Sequence, residues 1–293
     1  MKDIQMEIIP QFVINSLIAG AIYSLTALGF NLVFSTVKFF DISYGAVAVV
    51  GAYSVFYFFK MLGLPLYVAV TLGILISAIM GVLLYAFIYS PLRRRKASNT
   101  VLLVASLGAF TALQALVAIL FSSQFQTLSG TGSESKVFEV LSGAITAIQV
   151  VILCTAFTVM LVLGTALKFT LFGKAVKAVG DDEEVSKIVG INTSHLIGKI
   201  FFIGSALAGL AGILIGFDTG LQPTMGLPLL LKGVIASIIG GIGNVYGGVA
   251  GAFLLGFIEN FGVWQISGEW KDAIAFGVLI ILLIFRPNGI FKK

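Results

Sequence analysis

A chain of 293 residues that is 58% hydrophobic and 11% charged holds less than half the charge of a soluble domain, which carries about 25%. It reads as a polytopic all-α membrane protein, residues 1–293 forming one transmembrane domain in a lipid bilayer with no room for a separate soluble one. The net charge of +5 would point to nucleic acid in a soluble protein; here the basic residues flank apolar spans, so no nucleic acid is expected. The single cysteine, Cys154, excludes an internal disulfide and any multi-thiolate metal site, and is read as a small packed residue of its span.

In chain order, the first ten residues mix Lys2 with Asp3 and Glu7 and lack a basic signal-peptide region, so the first span is expected to be retained. All six prolines (Pro10, Pro65, Pro91, Pro223, Pro228, Pro287) fall at expected span ends. The apolar segments are 11–35, 42–59, 66–90, 100–122, 144–167, 199–217, 228–243, 246–263 and 272–285. Those at 228–243 and 272–285 are short for a ~30 Å core that needs about 20 helical residues. A helix bundle of eight to ten membrane segments, some short, broken or re-entrant, is the expected fold.

The longest polar interval, Lys168–Lys199, carries Lys168, Lys174, Lys177, Lys187 and Lys199, the acidic run from Asp181 to Glu184, and the only histidine, His195. Inside it a short helix is expected. Asp181 is the candidate N-cap, with Glu184 in capping-box position. Gly190 is the left-handed terminator, and Lys187 lies in the last turn. Val185, Ile188 and Val189 fall at i, i+3 and i+4, giving one apolar face on a rod of ~12 Å. A helix that short is marginal alone in water, so something is expected to pack against it.

Orientation follows from the basic residues. Arg93, Arg94, Arg95 and Lys96 form the densest cluster and are expected in the cytoplasm, with 168–199 on the same side two spans later. Arg286, Lys292 and Lys293 agree, which puts the C-terminus inside and the N-terminus outside. The Ser-, Thr- and Gly-rich 123–143 loop then faces outward. Tyr44-Gly45-Ala46-Val47-Ala48 and Tyr246-Gly247-Gly248-Val249-Ala250 are alike, but five small residues in a glycine-rich chain do not establish a repeat.

Catalytic chemistry is poorly supplied. The chain has no phosphate loop and no H-E-x-x-H, and one imidazole cannot build a metal site. The Gly240-Gly241-Ile242-Gly243-Asn244 run lacks the preceding strand and spacing of a nucleotide loop, and is read as close helix packing or a helix break. Polar residues inside spans say more, because each is costly in lipid. In the first span these are Asn15, Ser16, Tyr23, Thr26 and Asn31; Gln114 lies deep in the fourth; Lys232 and Glu259 flank the glycine run. If the flanking segments run antiparallel about Asn244, Lys232 is 12 residues before the turn and Glu259 is 15 after it. At ~1.5 Å per residue that mismatch is roughly 4 Å, which two long side chains can close to form an ion pair. Separate snorkelling to the outer interface and a pore-lining role are the alternatives.

These residues resemble the permease subunits of ABC importers for branched-chain amino acids over nearly the whole chain. The N-terminal part of the likeness runs from Gly20 to Leu32, followed by Gly45 and Gly51-Ala52-Tyr53. The loop part is Gly173-x-Ala175-x-x-Ala178-x-x-Asp181, then Gly190-Ile191-Asn192. The C-terminal part is Gly240 to Asn244 with Gly247, Gly256 and Glu259, ending in Arg286-Pro287-x-Gly289. Asp41 and Tyr44 depart from the family's common Asn and His, which bears on the substrate. The resemblance implies a permease for leucine, isoleucine or valine without ATPase activity or cofactor of its own. It also implies a second homologous permease subunit, two cytoplasmic ATPase subunits and an external or periplasmic substrate-binding protein. The runner-up is a related permease for another amino acid, an amide or urea, or a sugar; a self-sufficient secondary transporter is the other class. Gly173, Ala175, Ala178, Asp181, Glu184, Val185, Ile188 and Gly190 are the candidates for ATPase coupling. Asn31, Gln114, Lys232, Asn244 and Glu259 are the candidates for the translocation path.

Overall fold

In a bilayer, backbone polar groups must be satisfied within the segment, so long apolar runs fold as helices. The computed structural model describes residues 2–128, 137–140, 143–264, 267–286 and 289–291. Within them the chain forms α1 (Lys2–Val37), α2 (Ser43–Phe56), α3 (Leu66–Leu84), α4 (Ser90–Arg94), α5 (Asn99–Phe121) and α6 (Ala147–Phe169). It continues through α7 (Leu171–Asp181), α8 (Glu183–Ile188), α9 (Thr193–Asp218), α10 (Gly226–Gly240), α11 (Val245–Gly262) and α12 (Lys271–Phe285). Wider π-helical turns extend α2 over Tyr57–Met61 and join α3 to α4 over Tyr85–Tyr89. A small antiparallel hairpin of β1 (Val137–Val140) and β2 (Gly143–Thr146) precedes α6. Residues 129–136 and 141–142 of the expected outward loop, Pro287 of the C-terminal motif, and Lys292 and Lys293 lie outside the described residues.

Among the described residues, eight helical runs are long and apolar enough to cross a membrane. α12, with 15 residues, is apolar but shorter, ~22 Å long. Asp272 at its start pairs with Lys232. Beyond its end, the Ile290 N–H donates to the Ile239 carbonyl and Asn244 donates to the Phe291 carbonyl. The helix therefore runs alongside α10 from Lys232 to its C-terminal end.

α1 and α9 form the centre. α1 packs on α9, α10 and α11, while α2 packs on α3 and α9, with α5 laid on α2. Lipid tails are as apolar as leucine, so close association needs small residues at the crossings. A Cβ on Gly240 would overlap the carbonyl of Gly247, and one on Gly45 would overlap that of Gly226. The first pair closes the α10–α11 hairpin. The second brings together the starts of α2 and α10.

That second contact explains the short segment at 228–243. The α1–α2 link dives inward: the Ile42 N–H donates to Ser106 Oγ at 3.1 Å, and Ser106 is seven residues into α5, ~10 Å from its start. On the other side, Gln126 and Leu221 pair as a β-bridge that carries the chain inward towards α10, and Leu221 is fully buried. Both α2 and α10 begin inside the bundle; for 228–243 this is the re-entrant character expected of a short span.

Three local expectations are corrected. Pro10 lies inside α1, and Pro91 lies within the continuous helical run from Leu66 to Arg94. The π-helical turn just before Pro91 widens the helix where its ring would meet the preceding turn. Cys154 is exposed on α6 rather than packed. α6 sits at the periphery and turns Phe157 and Val162 outward beside it.

Candidate coupling surface and intramembrane polar sites

The polar interval folds as two helices. α7 alternates apolar and basic positions so that Gly173, Val176 and Val179 are buried while Lys174 and Lys177 stay exposed. Thr170 caps it by accepting from the Gly173 N–H at 3.3 Å. Gly173 sits against the Leu167 carbonyl at the end of α6, and Gly180 against the Ser35 carbonyl near the end of α1. Ala175 and Ala178 are on the same helix, Ala178 exposed less than Lys177 but neither of them buried outright. Asp181 is the last residue of α7, where its carbonyl accepts from Lys38 Nζ at 3.4 Å.

Asp182, not Asp181, caps α8: its Oδ1 accepts from the N–H groups of Glu184 (2.8 Å) and Val185 (3.0 Å). The reason is competition between the two helices. α7 keeps Asp181 helical, and only Asp182 takes the extended conformation a cap requires (φ −151°, ψ 115°). With the cap moved by one residue, Val185 occupies the third helical position and no capping box forms with Glu184. Gly190 ends the element at φ +92°, the left-handed conformation expected of it.

Glu183 holds α8 in place. It pairs with Arg93 of α4, accepts from Lys187 Nζ at 2.9 Å and accepts from Thr193 Oγ1 at 3.3 Å. Partial burial works against its charge, but the bond from Lys187 and the Arg93 guanidinium prevail and keep the carboxyl below its ordinary value. This tie puts the basic cluster and α8 at one end of the bundle, as the charge pattern required. Ser186 is buried beneath the helix, while Val185, Ile188 and Val189 are 53%, 84% and 74% exposed. The apolar face is therefore turned away from the rest of the chain.

Between α10 and α11, Lys232 is buried in an ion pair with Glu259, Nζ to Oε1 at 2.5 Å. The antiparallel α10–α11 register brings the two together. Two more partners complete the site. Asp272 accepts from the same Nζ at 2.8 Å, and Tyr23 donates from α1 to Glu259 Oε2 at 2.9 Å. Glu259 is 1% exposed, so separate snorkelling is excluded. Tyr23 stands out in the sequence as a polar residue of the first span. Asp272 gives no such signal, because it opens a helix whose register the sequence does not set.

Asn31 is fully buried in α1, and its Oδ1 accepts from the Gly243 N–H at 3.0 Å. Asn244 caps α11 by accepting from the Gly247 N–H at 3.0 Å. These two path candidates thus share the α10–α11 turn. Gln114 stands apart, half-buried on α5 beside exposed Thr111 and Ala115. Asp41 and Tyr44, the two departures from the family pattern, both point inward. Asp41 accepts from the Ser43 N–H, Ser43 Oγ and Tyr89 OH at 3.0, 2.6 and 2.6 Å. The Tyr44 hydroxyl donates to the Thr26 carbonyl at 3.3 Å.

A family model described as the permease component of branched-chain amino acid transport systems matches residues 12–283. The high-affinity branched-chain amino acid permease protein LivH of Escherichia coli K12 is 30% identical, over 97% of this chain and 95% of its own. BraD of Pseudomonas aeruginosa, of the same description, is 29% identical over the same shares. Among solved structures, PsaBC from Streptococcus pneumoniae in complex with Fab has a similar fold. It aligns with a TM-score of 0.55 at 13% identity, over 98% of this chain and 97% of that one. With the family model covering almost the whole membrane domain, the chain belongs to the permease components of branched-chain amino acid transport systems.

Proposed function

We propose that this permease subunit moves leucine, isoleucine or valine inward as half of a permease pair, coupled through α8 to cytoplasmic ATPase subunits and fed by an external binding protein. The substrate class rests on the names of relatives aligned over nearly the full length. The coupling rests on one observation: an apolar face of Val185, Ile188 and Val189 turned outward on a helix that Glu183 and Asp182 fix in place. Such a face suits insertion into a groove on a soluble partner. Gly173, Ala175 and Ala178 seat α7 beneath it, Asp181 joins the two helices, and Glu184 and Gly190 border the docking face. The subunit itself hydrolyses no ATP.

Within the membrane, Gln114 and its small exposed neighbours on α5 are the part of the path that faces the second permease. Asn31 with Asn244, and Lys232 with Glu259, hold the helices that frame it. The coupling is tested by replacing Val185 or Ile188 with Asp and purifying the permease with its ATPase. Both side chains are exposed, so the variants should insert normally, lose the ATPase from the purified complex and lose transport. Undiminished co-purification and transport in both would overturn it.

A further inference from the structure

A second feature of the basic end is a groove on the outer wall of the bundle, between the last turns of α3 and the first turns of α9. It holds a cavity of about 590 Å³ that adjoins another of about 450 Å³, the two sharing Tyr85, Ala86 and Ser194. The π-helical turn Tyr85–Tyr89 forms one wall; such turns are frequent at functional sites. On the opposite wall Gly198 leaves the groove open: a Cβ there would have only the Tyr85 ring near it, at 3.8 Å.

The chemistry of the walls is ordered by depth. α3 and α9 run antiparallel, so Arg94, Arg95, Ser194 and His195 lie at the mouth. Lys199 is one turn deeper, and Val82, Ala86 and Phe202 continue inward. Arg94 is 12 residues beyond Val82, ~18 Å along the helix. Leu83, Phe87 and Phe202 are 41%, 76% and 40% exposed on this flank, which turns the groove towards lipid. No acidic residue lines either cavity; Glu183 and Glu184 line a further cavity on the α8 side that shares Arg94 and Ser194 with the second. Arg93 is engaged by Glu183, whereas Arg94, Arg95 and Lys199 form no ion pair among the described residues. Topology alone asks for cations at this end of the bundle; it does not ask for unpaired cations around a concave opening with an apolar floor.

We propose that this groove binds an anionic phospholipid of the cytoplasmic leaflet, its phosphate held between Arg94, Arg95 and Lys199 and an acyl chain lying along Val82, Ala86 and Phe202. Basic pockets between membrane helices are suited to such headgroups, and each nearby Lys or Arg strengthens binding by about fivefold.

The test is native mass spectrometry of the full chain, delipidated in detergent and offered equal amounts of dioleoyl phosphatidylglycerol and dioleoyl phosphatidylcholine. The expected result is one retained phosphatidylglycerol per chain, preferred at least roughly tenfold. Arg94→Gln with Lys199→Gln should lower retention by about 25-fold, from two lost cations. Gly198→Leu should abolish it by filling the groove with every charge intact. Equal retention of the two lipids by the unaltered chain overturns the proposal whatever the variants do. So does undiminished retention in well-folded variants. Displacement by millimolar inorganic phosphate overturns it in favour of a free-anion site, and displacement by the purified ATPase in favour of a protein contact.

Discussion

Replacing Lys232 with Met removes the cation between Glu259 and Asp272 and leaves its methylene stem largely intact. Its two partners are not equivalent. Glu259 is 1% exposed and keeps only the Tyr23 hydroxyl as a partner, whereas the Asp272 side chain is 67% exposed. Stranding a buried charge by removing its partner costs about 3–5 kcal/mol, while an exposed pair contributes about 0–1 kcal/mol. The expected order of destabilisation is therefore Lys232→Met first, at about 3–5 kcal/mol, with Asp272→Asn last, at about 1 kcal/mol or less. Glu259→Gln falls between, because its amide oxygen can still accept from Tyr23 and Lys232 retains Asp272. The double variant Lys232→Met with Glu259→Leu should recover most of the loss, since a buried pair is often replaceable by apolar residues of similar size. Charge reversal at both positions should recover less, because the carboxylate introduced in place of Lys232 would face Asp272. Unfolding in mixed micelles, followed by fluorescence of Trp264 and Trp270, reads the differences close in sequence to Glu259 and Asp272. If the double variant is as unstable as the sum of the singles, the two residues are not coupled and the reasoning fails.

Two further outcomes follow from local geometry. Glu183 has a lowered carboxyl pKa, so its stabilisation of α8 is fully present above the ordinary carboxylate value and is lost as pH falls through the lowered one. Hydrogen-exchange protection factors over 183–190, corrected for the intrinsic pH dependence of exchange, should stay high from neutral pH down to that range and fall below it; Glu183→Gln should lower them at neutral pH, and a flat profile in the unaltered chain would count against the tie. Gly240→Ala should destabilise the α10–α11 hairpin by several kcal/mol, since its Cβ would meet backbone at Gly247 rather than a movable side chain, and thermal unfolding equal to the unaltered chain would contradict that packing.

Much of this architecture is legible in the sequence because a bilayer leaves few choices. Apolar runs locate seven of the nine segments to within four residues, while α1 and α9 begin nine and six residues before the segments read for them. The Lys232–Glu259 contact follows from counting residues about the turn at Asn244. What escapes depends on competition or depth that a one-dimensional pattern does not carry. Asp181 and Asp182 are equally good caps by type, and only the extent of α7 decides between them. α7 itself is readable from Gly173, Val176 and Val179 alternating with Lys174 and Lys177, but the stronger cap signals downstream draw the expected helix to 181–190. The ties of Glu183 to Arg93 and of Asp41 to Tyr89 join residues 90 and 48 positions apart, and no local spacing announces such partners. The start of α2 inside the bundle likewise comes from Ile42 reaching Ser106, not from the composition of either segment.

The most direct measurement is uptake of radiolabelled leucine into proteoliposomes containing this subunit, its companion permease, the ATPases and the binding protein. Uptake should require ATP and every component, and the subunit alone should neither hydrolyse ATP nor accumulate leucine. Concentrative uptake by the subunit alone, driven by an ion gradient without ATP, would contradict its assignment as the permease of an ATP-driven importer.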